Sequence, residues 1–423
     1  MAKAGSDEDA GAQRLAQAAA GASRLLAGLS GALRNRVLRE WAQALAKAAP
    51  AVERANARDC RAAAAANLPA ALIDRLRMDR GRLGKVAQGL RAVAALPDPL
   101  GREIWHTVRP NGLDIRRVRV PIGTILIVYE ARPNVTVEAA ALCFKSGNAC
   151  ILRGGKEARH TNRALCEVLA GVLRRHKVPP AAVSFVTRQE RGFVGALLKQ
   201  TASIDLVIPR GGESLIRAVS EASRIPVIKH YKGVCHVYVD RSADLAMARR
   251  IVINAKTQRP GVCNAAECLL VHQAVAAKFL PALMKELQAK ECEVRADPRA
   301  RRLMPGARAA VADDFGREFL DLILAVRVVD SLDSALGHIA RWGSKHTDAI
   351  VARDAGSIAR FKREVDTACV HVNASTRFND GFEYGLGAEI GISTDKLHAR
   401  GPMGLEELTT YKYVVTGHGQ VRE

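Results

Sequence analysis

The stretch Ile122-Gly-Thr-Ile-Leu-Ile-Val-Tyr129 is apolar almost throughout, which is typical of a strand buried on both faces of a parallel sheet. Further apolar runs follow it, and stretches with helical periodicity separate them. The runs are 149–152, 183–186 and 204–208, and the helical stretches are 136–145, 161–175 and 193–200. This alternation predicts a doubly wound parallel sheet, an α/β fold class that commonly binds a dinucleotide.

The chain after about residue 230 predicts a second α/β unit. Its strand-like runs are 234–239, 268–271, 325–329, 348–352 and 369–372, and its helical stretches are 243–256, 274–289 and 332–342. Residues 9–93, before the first sheet, are almost entirely helical in pattern. Residues 384–404 are rich in glycine and lack periodicity, and an irregular segment of that length is usually functional.

A β-hairpin is predicted between the helical N-terminal region and the first sheet. Two runs that alternate charged and apolar residues, 105–109 and 113–120, flank Pro110-Asn111-Gly112. Asn-Gly between alternating runs is a strong hairpin signal. Because charged residues prevent both faces from being buried, we expect the hairpin to leave the main body. Residues 409–415 also alternate and predict a final strand.

Composition argues against several classes of protein. The net charge is +21, but basic residues are dispersed and aromatic residues make up only 4%, which disfavours nucleic-acid binding. A positive field would instead suit an anionic small-molecule substrate. We find no long apolar span and no secretory signal, so we expect a cytoplasmic protein that does not contact membranes. Nine cysteines without C-x-x-C spacing argue against a disulfide framework and a zinc site, and no metal is expected.

The segment Gln258-Arg-Pro-Gly-Val-Cys-Asn-Ala-Ala-Glu267 joins a predicted helix to a predicted strand. Pro260-Gly261 ends the helix, so Cys263 lies in a turn where its sulfur can remain outside the core. A thiol in such a position can act as a nucleophile when its pKa is lowered. The alternative is a packed structural cysteine, which is the commoner role for this residue type.

The segment Pro209-Arg-Gly-Gly-Glu-Ser214 follows the apolar run 204–208 and opens a predicted helix. Backbone N–H groups at a helix N-terminus can bind phosphate. The Gly-x-Gly-x-x-Gly fingerprint of dinucleotide sites is absent, so this segment alone does not identify a cofactor site.

Several segments between about residue 15 and the C-terminus share one resemblance. They include Val120-Pro-Ile-Gly-Thr, Tyr129-Glu-Ala-Arg-Pro-Asn-Val-Thr136, Leu152-Arg-Gly-Gly-Lys-Glu157, Val227-Ile-Lys-His-Tyr-Lys-Gly233, Gln258-Arg-Pro-Gly-Val-Cys-Asn264, Val372-Asn-Ala-Ser-Thr-Arg-Phe378 and Gly385-Leu-Gly-Ala-Glu-Ile-Gly-Ile-Ser393. In these segments the sequence resembles the gamma-glutamyl phosphate reductases (glutamate-5-semialdehyde dehydrogenases), a proline-biosynthesis branch of the aldehyde dehydrogenase superfamily.

The resemblance implies an aldehyde-dehydrogenase-like fold in three parts. A doubly wound NADPH-binding domain would comprise residues 1–102 and 120–231, and an α/β catalytic domain residues 232–400. A β-flap for oligomerisation would comprise residues 103–119 and 401–423. The resemblance further implies a homo-oligomer, either a dimer or a tetramer, and a functional link to glutamate 5-kinase.

The same resemblance implies NADPH-dependent reduction of L-glutamyl 5-phosphate to L-glutamate 5-semialdehyde, with release of phosphate. Cys263 matches the superfamily nucleophile, whose thiolate would form a thioester. Asn134 matches the oxyanion asparagine and would act with the backbone N–H of Cys263. Without the resemblance, Asn134 would be interpreted as a turn residue.

Hydrolytic members of the superfamily carry a glutamate where this chain has His230. Because that glutamate activates the water that cleaves the thioester, its replacement fits reduction and argues against oxidation to a free acid. His230 either helps to bind the substrate phosphate or is a hydrogen-bonded structural residue.

Cofactor and substrate contacts are also implied. Lys156 stands where NAD-preferring relatives commonly carry glutamate, and a lysine would attract the 2′-phosphate of NADPH. The other cofactor candidates are Arg153, Arg210, Gly211, Gly212 and Glu318. Candidates for the substrate carboxylate or phosphate are Arg132, Ser375 and Arg377, since arginine recognises both groups in bidentate fashion. The alternative for each of these contacts is a surface ion pair.

Two rival functions remain at this point. One is an NAD(P)-linked aldehyde dehydrogenase acting on another acyl phosphate or aldehyde. The other is a nucleic-acid-binding or scaffolding protein with a relic enzyme fold, against which the intact set of Cys263, Asn134 and Lys156 argues.

Overall fold

The computed structural model describes residues 2–188 and 190–422. These residues form two compact units. The first comprises residues 2–229, 386–391 and 403–422, and the second comprises residues 230–385 and 392–402. The predicted boundary between the cofactor and catalytic domains is residue 231, and residues 386–391 are predicted in the catalytic domain. The units instead change at residue 229, and this short segment belongs to the first unit.

The described ranges contain thirteen α-helices and sixteen strands, numbered along the chain. The helices are α1 Ala2–Ala27, α2 Gly31–Ala65, α3 Ala70–Leu76, α4 Arg80–Ala95, α5 Pro133–Lys145, α6 Arg159–Arg175, α7 Arg191–Leu197, α8 Glu213–Ala222, α9 Leu245–Thr257, α10 Gln273–Gln288, α11 Pro298–Arg301, α12 Leu332–Trp342 and α13 Ala355–Glu364. The strands are β1 Glu103–Val108, β2 Asp114–Pro121, β3 Thr124–Tyr129, β4 Ala149–Gly154, β5 Val183–Phe185, β6 Leu206–Arg210, β7 Cys235–Val239, β8 Ala266–His272, β9 Glu293–Ala296, β10 Arg308–Ala309, β11 Ile323–Val329, β12 Thr347–Val351, β13 Cys369–Val372, β14 Gly391–Ser393, β15 Gly401–Met403 and β16 Thr409–Thr416.

The first unit is built around a parallel sheet of four strands in the order β5-β4-β3-β6. Strand β3 is buried at every position, as its apolar sequence predicts. The fully buried Trp41 of α2 donates its indole N–H to the carbonyl of Leu169 in α6 at 3.1 Å. Its ring lies 5.1 Å from that of Phe144 in α5. These contacts pack the N-terminal helices onto the helices of the sheet.

The predicted hairpin is present in the first unit. Strands β1 and β2 pair antiparallel, and β16 adds to β2 to give a three-stranded sheet. Gly112 adopts a positive φ of 85° in the turn, a conformation that favours glycine. Strand β16 is exposed at every position after Thr409.

The second unit is built around a parallel sheet in the order β10-β9-β11-β8-β7-β12-β13. Helices α9 and α10 cover one face with a cluster that includes Val252, Phe279 and Leu283. Helices α12 and α13 cover the other face with a cluster that includes Ile339 and Phe361. Helices therefore lie on both faces of this sheet, and the predicted second α/β unit is confirmed.

Differences from the predicted elements have local causes. The run 204–208 predicts a strand, but β6 begins at Leu206 because Ile204 closes the preceding turn and the side chain of Asp205 binds the first residue of β3. Ile204 donates its N–H to the Gln200 carbonyl at 2.9 Å, and the Asp205 carboxylate accepts the Thr124 N–H at 2.8 Å. The irregular segment 384–404 contains only β14 and β15 among its described residues. None of the described helices combines the length and apolar character needed to cross a bilayer.

Candidate active site

Cys263 lies half-buried in the turn between α9 and β8. The two ends of this turn are joined by a buried ion pair, in which Lys256 Nζ lies 2.6 Å from Glu267 Oε2. Burial raises the pKa of Glu267 to about 7, although Lys256 opposes the shift. The second Glu267 oxygen accepts the Leu320 N–H at 3.2 Å. The ion pair therefore fixes where the cysteine turn begins and ends.

The backbone of Cys263 packs against the segment that precedes β7. A Cβ atom added to Gly233 would lie 1.8 Å from the Cys263 carbonyl oxygen, so only glycine fits at that position. The same carbonyl accepts a hydrogen bond from Cys235 Sγ at 3.2 Å. Burial raises the pKa of Cys235, which keeps this thiol protonated as the donor. Sequence reasoning gave neither Gly233 nor Cys235 a role.

The ligand atoms of Cys263, His230 and His346 lie within 4.8 Å of one another, and we call these three residues the nucleophile cluster. His230 is half-buried, and its Nδ1 lies 2.9 Å from the Ile392 carbonyl oxygen. His346 is fully buried, with its ring 5.4 Å from that of His230. Burial lowers the pKa of His346 to about 3, and the nearby His230 adds to the shift, so His346 is neutral at pH 7.

His346 is absent from the site predicted by sequence. It immediately precedes β12, as His230 and Cys263 precede β7 and β8. These three strands are adjacent and parallel in the order β8-β7-β12. The nucleophile cluster therefore forms at the edge where these strands begin, and only the strand order could have revealed it.

Arg377 contacts side chains on both sides of Cys263 in sequence. Its Nε donates to Gln258 Oε1 at 2.8 Å, and its Nη1 donates to Asn264 Oδ1. Ser375 is buried, and its hydroxyl oxygen accepts the Arg377 N–H at 3.3 Å. Both residues thus position the cysteine turn, and a contact of either with substrate stays a prediction.

Glu318, a candidate cofactor ligand, belongs to the second unit as well. Its Oε1 accepts the Gly233 N–H at 2.8 Å, next to the Cys263 backbone. Lys232 Nζ donates to the Gly316 carbonyl at 2.8 Å. The second unit therefore brings five predicted site residues onto neighbouring segments, namely His230, Cys263, Glu318, Ser375 and Arg377.

The remaining predicted residues belong to the first unit. Asn134 lies in the first turn of α5, so the interpretation as a loop-turn residue is wrong. Its side-chain amide donates to the Glu138 carboxylate at 3.0 and 3.1 Å. Arg132 is exposed immediately before the helix. Their roles in oxyanion and substrate binding stay predictions.

The other predicted cofactor residues lie at or just after the carboxyl ends of β4 and β6, the two strands that flank β3 in the first unit. Arg153 and Lys156 lie at the carboxyl end of β4, while Arg210 ends β6 and Gly211-Gly212 precedes α8. Within the described ranges, the buried Arg153 Nε has no hydrogen-bond partner. Lys156 is exposed. An unsatisfied cationic donor beside an exposed lysine, at the carboxyl edge of a doubly wound sheet, fits an anionic dinucleotide.

One contact at this edge has no counterpart among the predictions. The Glu130 carboxylate, just after β3, accepts the Gly212 N–H at 2.9 Å. The N-terminus of α8 therefore already has an anionic partner within the chain. A cofactor phosphate at Gly212 would have to replace it.

Comparison with known proteins gives a consistent result. A family model described as "Aldehyde dehydrogenase family" matches residues 1–301. The gamma-glutamyl phosphate reductase of Geotalea daltonii is 52% identical over 97% of this chain and 98% of that protein. The crystal structure of gamma-glutamyl phosphate reductase from Thermotoga maritima has a TM-score of 0.96 at 41% identity, covering 98% of this chain and 100% of that chain. An acetylating aldehyde dehydrogenase from Geobacillus thermoglucosidasius, at 16% identity over 99% of each chain, shares the fold with a TM-score of 0.66.

The family match covers more than half of the chain, and the reductase match covers nearly all of it. The chain belongs to the gamma-glutamyl phosphate reductases of the aldehyde dehydrogenase family.

Proposed function

We propose that this chain reduces L-glutamyl 5-phosphate to L-glutamate 5-semialdehyde with NADPH and releases phosphate, a step in proline biosynthesis. The observation that carries the proposal is the position of Cys263. The turn that holds it is closed by the ion pair of Lys256 with Glu267, and it places Cys263 beside His230. Membership of the reductase family supports the substrate, since the relatives are named for this reaction.

The chemistry begins at the Cys263 sulfur. As a thiolate, it attacks the acyl carbon of the substrate, forms a carbon–sulfur bond and expels phosphate as the carbon–oxygen bond breaks. Charge develops on the acyl oxygen during attack and requires preorganised donors. We assign the Cys263 N–H and the Asn134 amide to this role. Asn134 would then exchange its contact with Glu138 for the substrate oxygen.

His230 keeps the thioester available for reduction. The Ile392 carbonyl can only accept a hydrogen bond, so His230 Nδ1 carries the proton and the ring orientation is fixed. An imidazole held in this way replaces the carboxylate that hydrolytic relatives use to activate water. We assign the His230 ring and Arg377 to the side of the site that receives the substrate phosphate and carboxylate.

The family uses a nicotinamide cofactor, and the finer proposal is NADPH. When bound, NADPH supplies the hydride that converts the thioester to the aldehyde. Lys156 and Arg153 would hold its 2′-phosphate, with Arg210, Gly211, Gly212 and Glu318 as further contacts. The buried, unsatisfied Arg153 Nε supports an anionic ligand among the described residues of this edge.

The substitution Lys156→Glu tests the cofactor. Hydrogen bonds to charged groups are worth about 1.5–3 kcal/mol, so kcat/KM with NADPH should fall at least about tenfold. Activity with NADH should be unchanged or improved, because a carboxylate can bind the ribose hydroxyls. Lys199→Glu, at another exposed lysine of the first unit, is the matched control and should change neither. Equal losses with both cofactors would make Lys156 structural.

The reaction itself is tested in reverse. Glutamate semialdehyde should reduce NADP⁺ only when phosphate is present, because phosphate must cleave the thioester. Phosphate-independent formation of glutamate would identify the rival hydrolytic aldehyde dehydrogenase instead.

We further infer that the flap is an interface between copies of the chain. Trp105, Tyr411 and Tyr413 are exposed by 41%, 46% and 58%, and the Arg117 guanidinium lies over the first two of these rings. Exposed aromatic clusters of this kind are enriched at interfaces. Tyr413→Lys should shift the sedimenting species towards the monomer, and an unchanged sedimentation coefficient would contradict this inference.

A further inference from the structure

We propose that Cys263, His230 and His346 bind a zinc ion reversibly, and that zinc bound there blocks the nucleophile. Their ligand atoms already lie within 4.8 Å of one another. With zinc–sulfur bonds of ~2.3 Å and zinc–nitrogen bonds of ~2.0–2.1 Å, tetrahedral ligand atoms stand about 3.3–3.6 Å apart. Side-chain movements of about 1 Å would therefore complete three corners of a tetrahedron.

Both histidines are oriented by their other nitrogen, as metal-binding histidines usually are. His230 Nδ1 donates to the Ile392 carbonyl, which leaves the lone pair on Nε2. His346 Nδ1 lies 2.9 Å from Thr347 Oγ1, an oxygen able to accept its proton. In that tautomer His346 also directs a lone pair from Nε2.

A second observation points to a ligand. His346 is fully buried, yet its Nε2 has no hydrogen-bond partner from any residue that the structure describes. Buried polar atoms in folded proteins nearly always have a partner, which can be an ion. Zinc would satisfy Nε2, and the half-buried Cys263 and His230 provide the accessible side from which the ion enters.

The donor set selects the class of metal. One sulfur and two imidazole nitrogens suit zinc and other borderline-soft ions, whereas magnesium and calcium prefer oxygen. The fourth position is left to water, as in sites with three protein ligands.

Zinc binding involves no oxidation or reduction. The Cys263 thiol releases its proton to solvent, and its sulfur forms the bond to zinc; both histidines bind as neutral groups. The sulfur lone pair used for zinc is the pair that would attack the acyl carbon. The inhibition rests on the proposed role of Cys263, whereas the binding does not.

The experiment uses the full chain, made metal-free and reduced with a phosphine. Competition with a chromophoric zinc indicator measures affinity, and turnover is measured in buffered free zinc. We expect one zinc per chain, inhibition with the same midpoint as binding, recovery with EDTA, and no inhibition by magnesium.

Single substitutions identify the side chains that hold the zinc. Cys263→Ala, His230→Ala and His346→Ala should each weaken zinc binding at least about tenfold, since even the loss of a group that only orients a ligand costs about 10–100-fold. If the buried His346 variant fails to fold, the half-buried His230 variant decides. Cys60→Ala, at a half-buried cysteine of the first unit, and His338→Gln, in another cysteine–histidine group, are controls that should bind zinc like the parent.

Parent-like zinc affinity in Cys263→Ala or His230→Ala would overturn the proposal, as would a loss of affinity in His338→Gln. If Cys263→Ala keeps full turnover but loses zinc, the zinc site stands and the proposed nucleophile fails.

Discussion

Two groups of one cysteine and two histidines lie in the second unit, and they differ in burial and in their position in the sheet. One is the nucleophile cluster, and the other consists of Cys268, His236 and His338, which we call the core cluster. The cysteines are five residues apart in sequence, yet Cys263 is half-buried in a turn and Cys268 is fully buried in β8. The same residue types therefore occur once at the edge of the sheet and once inside it.

The core cluster is held by the sheet itself. Cys268, His236 and Asp348 stand opposite one another across β8, β7 and β12. His236 Nδ1 lies 2.9 Å from Asp348 Oδ1, and both residues are within 1% of complete burial. His338 Nε2 lies 3.5 Å from Cys268 Sγ.

Protonation also separates the two groups. Burial opposes charge on His236, but Cys268 and Asp348 outweigh it and raise the pKa of His236 to about 10. At pH 7 His236 therefore carries protons on both nitrogens, and a metal would have to displace one of them before it could bind. Arg327 donates to His338 Nδ1 at 3.3 Å, which places the His338 proton on Nε2, facing Cys268. Hydrogen bonding and access, rather than residue type, therefore decide whether such a group reacts.

The largest expected effect is on turnover. Cys263→Ala should reduce kcat by several orders of magnitude, since removal of a covalent nucleophile can cost about 10⁶-fold. NADPH binding, measured by fluorescence, should persist. Cys268→Ala should retain most of the activity and lose stability instead, because it leaves a cavity in the core. Residual turnover in Cys263→Ala within about tenfold of the parent would show that Cys263, like Cys268, is not the nucleophile.

The next effect is on stability and concerns the core cluster. Asp348→Asn removes the partner of a buried imidazolium and should reduce the free energy of unfolding by about 3–5 kcal/mol. Asp366→Asn is the control, because that exposed carboxylate meets Arg400, Lys345 and Lys396 in pairs worth about 0–1 kcal/mol each.

The loss of stability in Asp348→Asn should depend on pH, because the pKa of His236 is raised in the folded state. The raised pKa of His236 contributes stability that is complete below about pH 6.5, the ordinary histidine value, and is lost as pH rises towards 10. Urea unfolding should thus show the deficit of Asp348→Asn shrinking between pH 7 and 10. A deficit independent of pH would mean that His236 is neutral.

A smaller effect is expected from converting the reductase towards a hydrolase. General bases contribute about 10²–10⁴-fold, so His230→Glu should raise the release of glutamate from glutamyl phosphate, without NADPH, by at least about tenfold. His230→Gln supplies no carboxylate and is the control. A parent that releases glutamate as fast as it makes semialdehyde would contradict the protective role of His230.

The smallest effect tests a feature that the two groups share. Burial lowers the pKa of His346 and of His338 to about 3, with His236 and Arg327 adding to the shift at His338. Each neutral histidine contributes stability that is present above about pH 6.5 and is lost as pH falls towards 3, at about 1.4 kcal/mol per pH unit. Urea unfolding between pH 6 and 5 should show a slope reduced by about one proton in His338→Gln. An unchanged slope would show that His338 is already protonated.

Much of the fold could be predicted from local patterns in the sequence. The apolar run of β3 and the Asn-Gly turn of the flap predicted their elements because burial and backbone conformation constrain those residues directly. The turn of Cys263 was predicted for the same reason, since Pro260-Gly261 cannot continue α9. By contrast, Glu130 at the N-terminus of α8 and the ion pair of Lys256 with Glu267 gave no local signal, because their partners are set by packing.

The alternation of strand and helix, the position of the cysteine turn and the family of the chain follow from the amino-acid sequence alone, since they depend on short-range pattern and on motif identity. The contacts of His346 with Cys263 and His230, and of His236 with Asp348, could be known only from the three-dimensional structure, because they depend on strand order. Neighbours β8, β7 and β12 are far apart in the chain, and their pairing decides which side chains share an edge and which are sealed in the core.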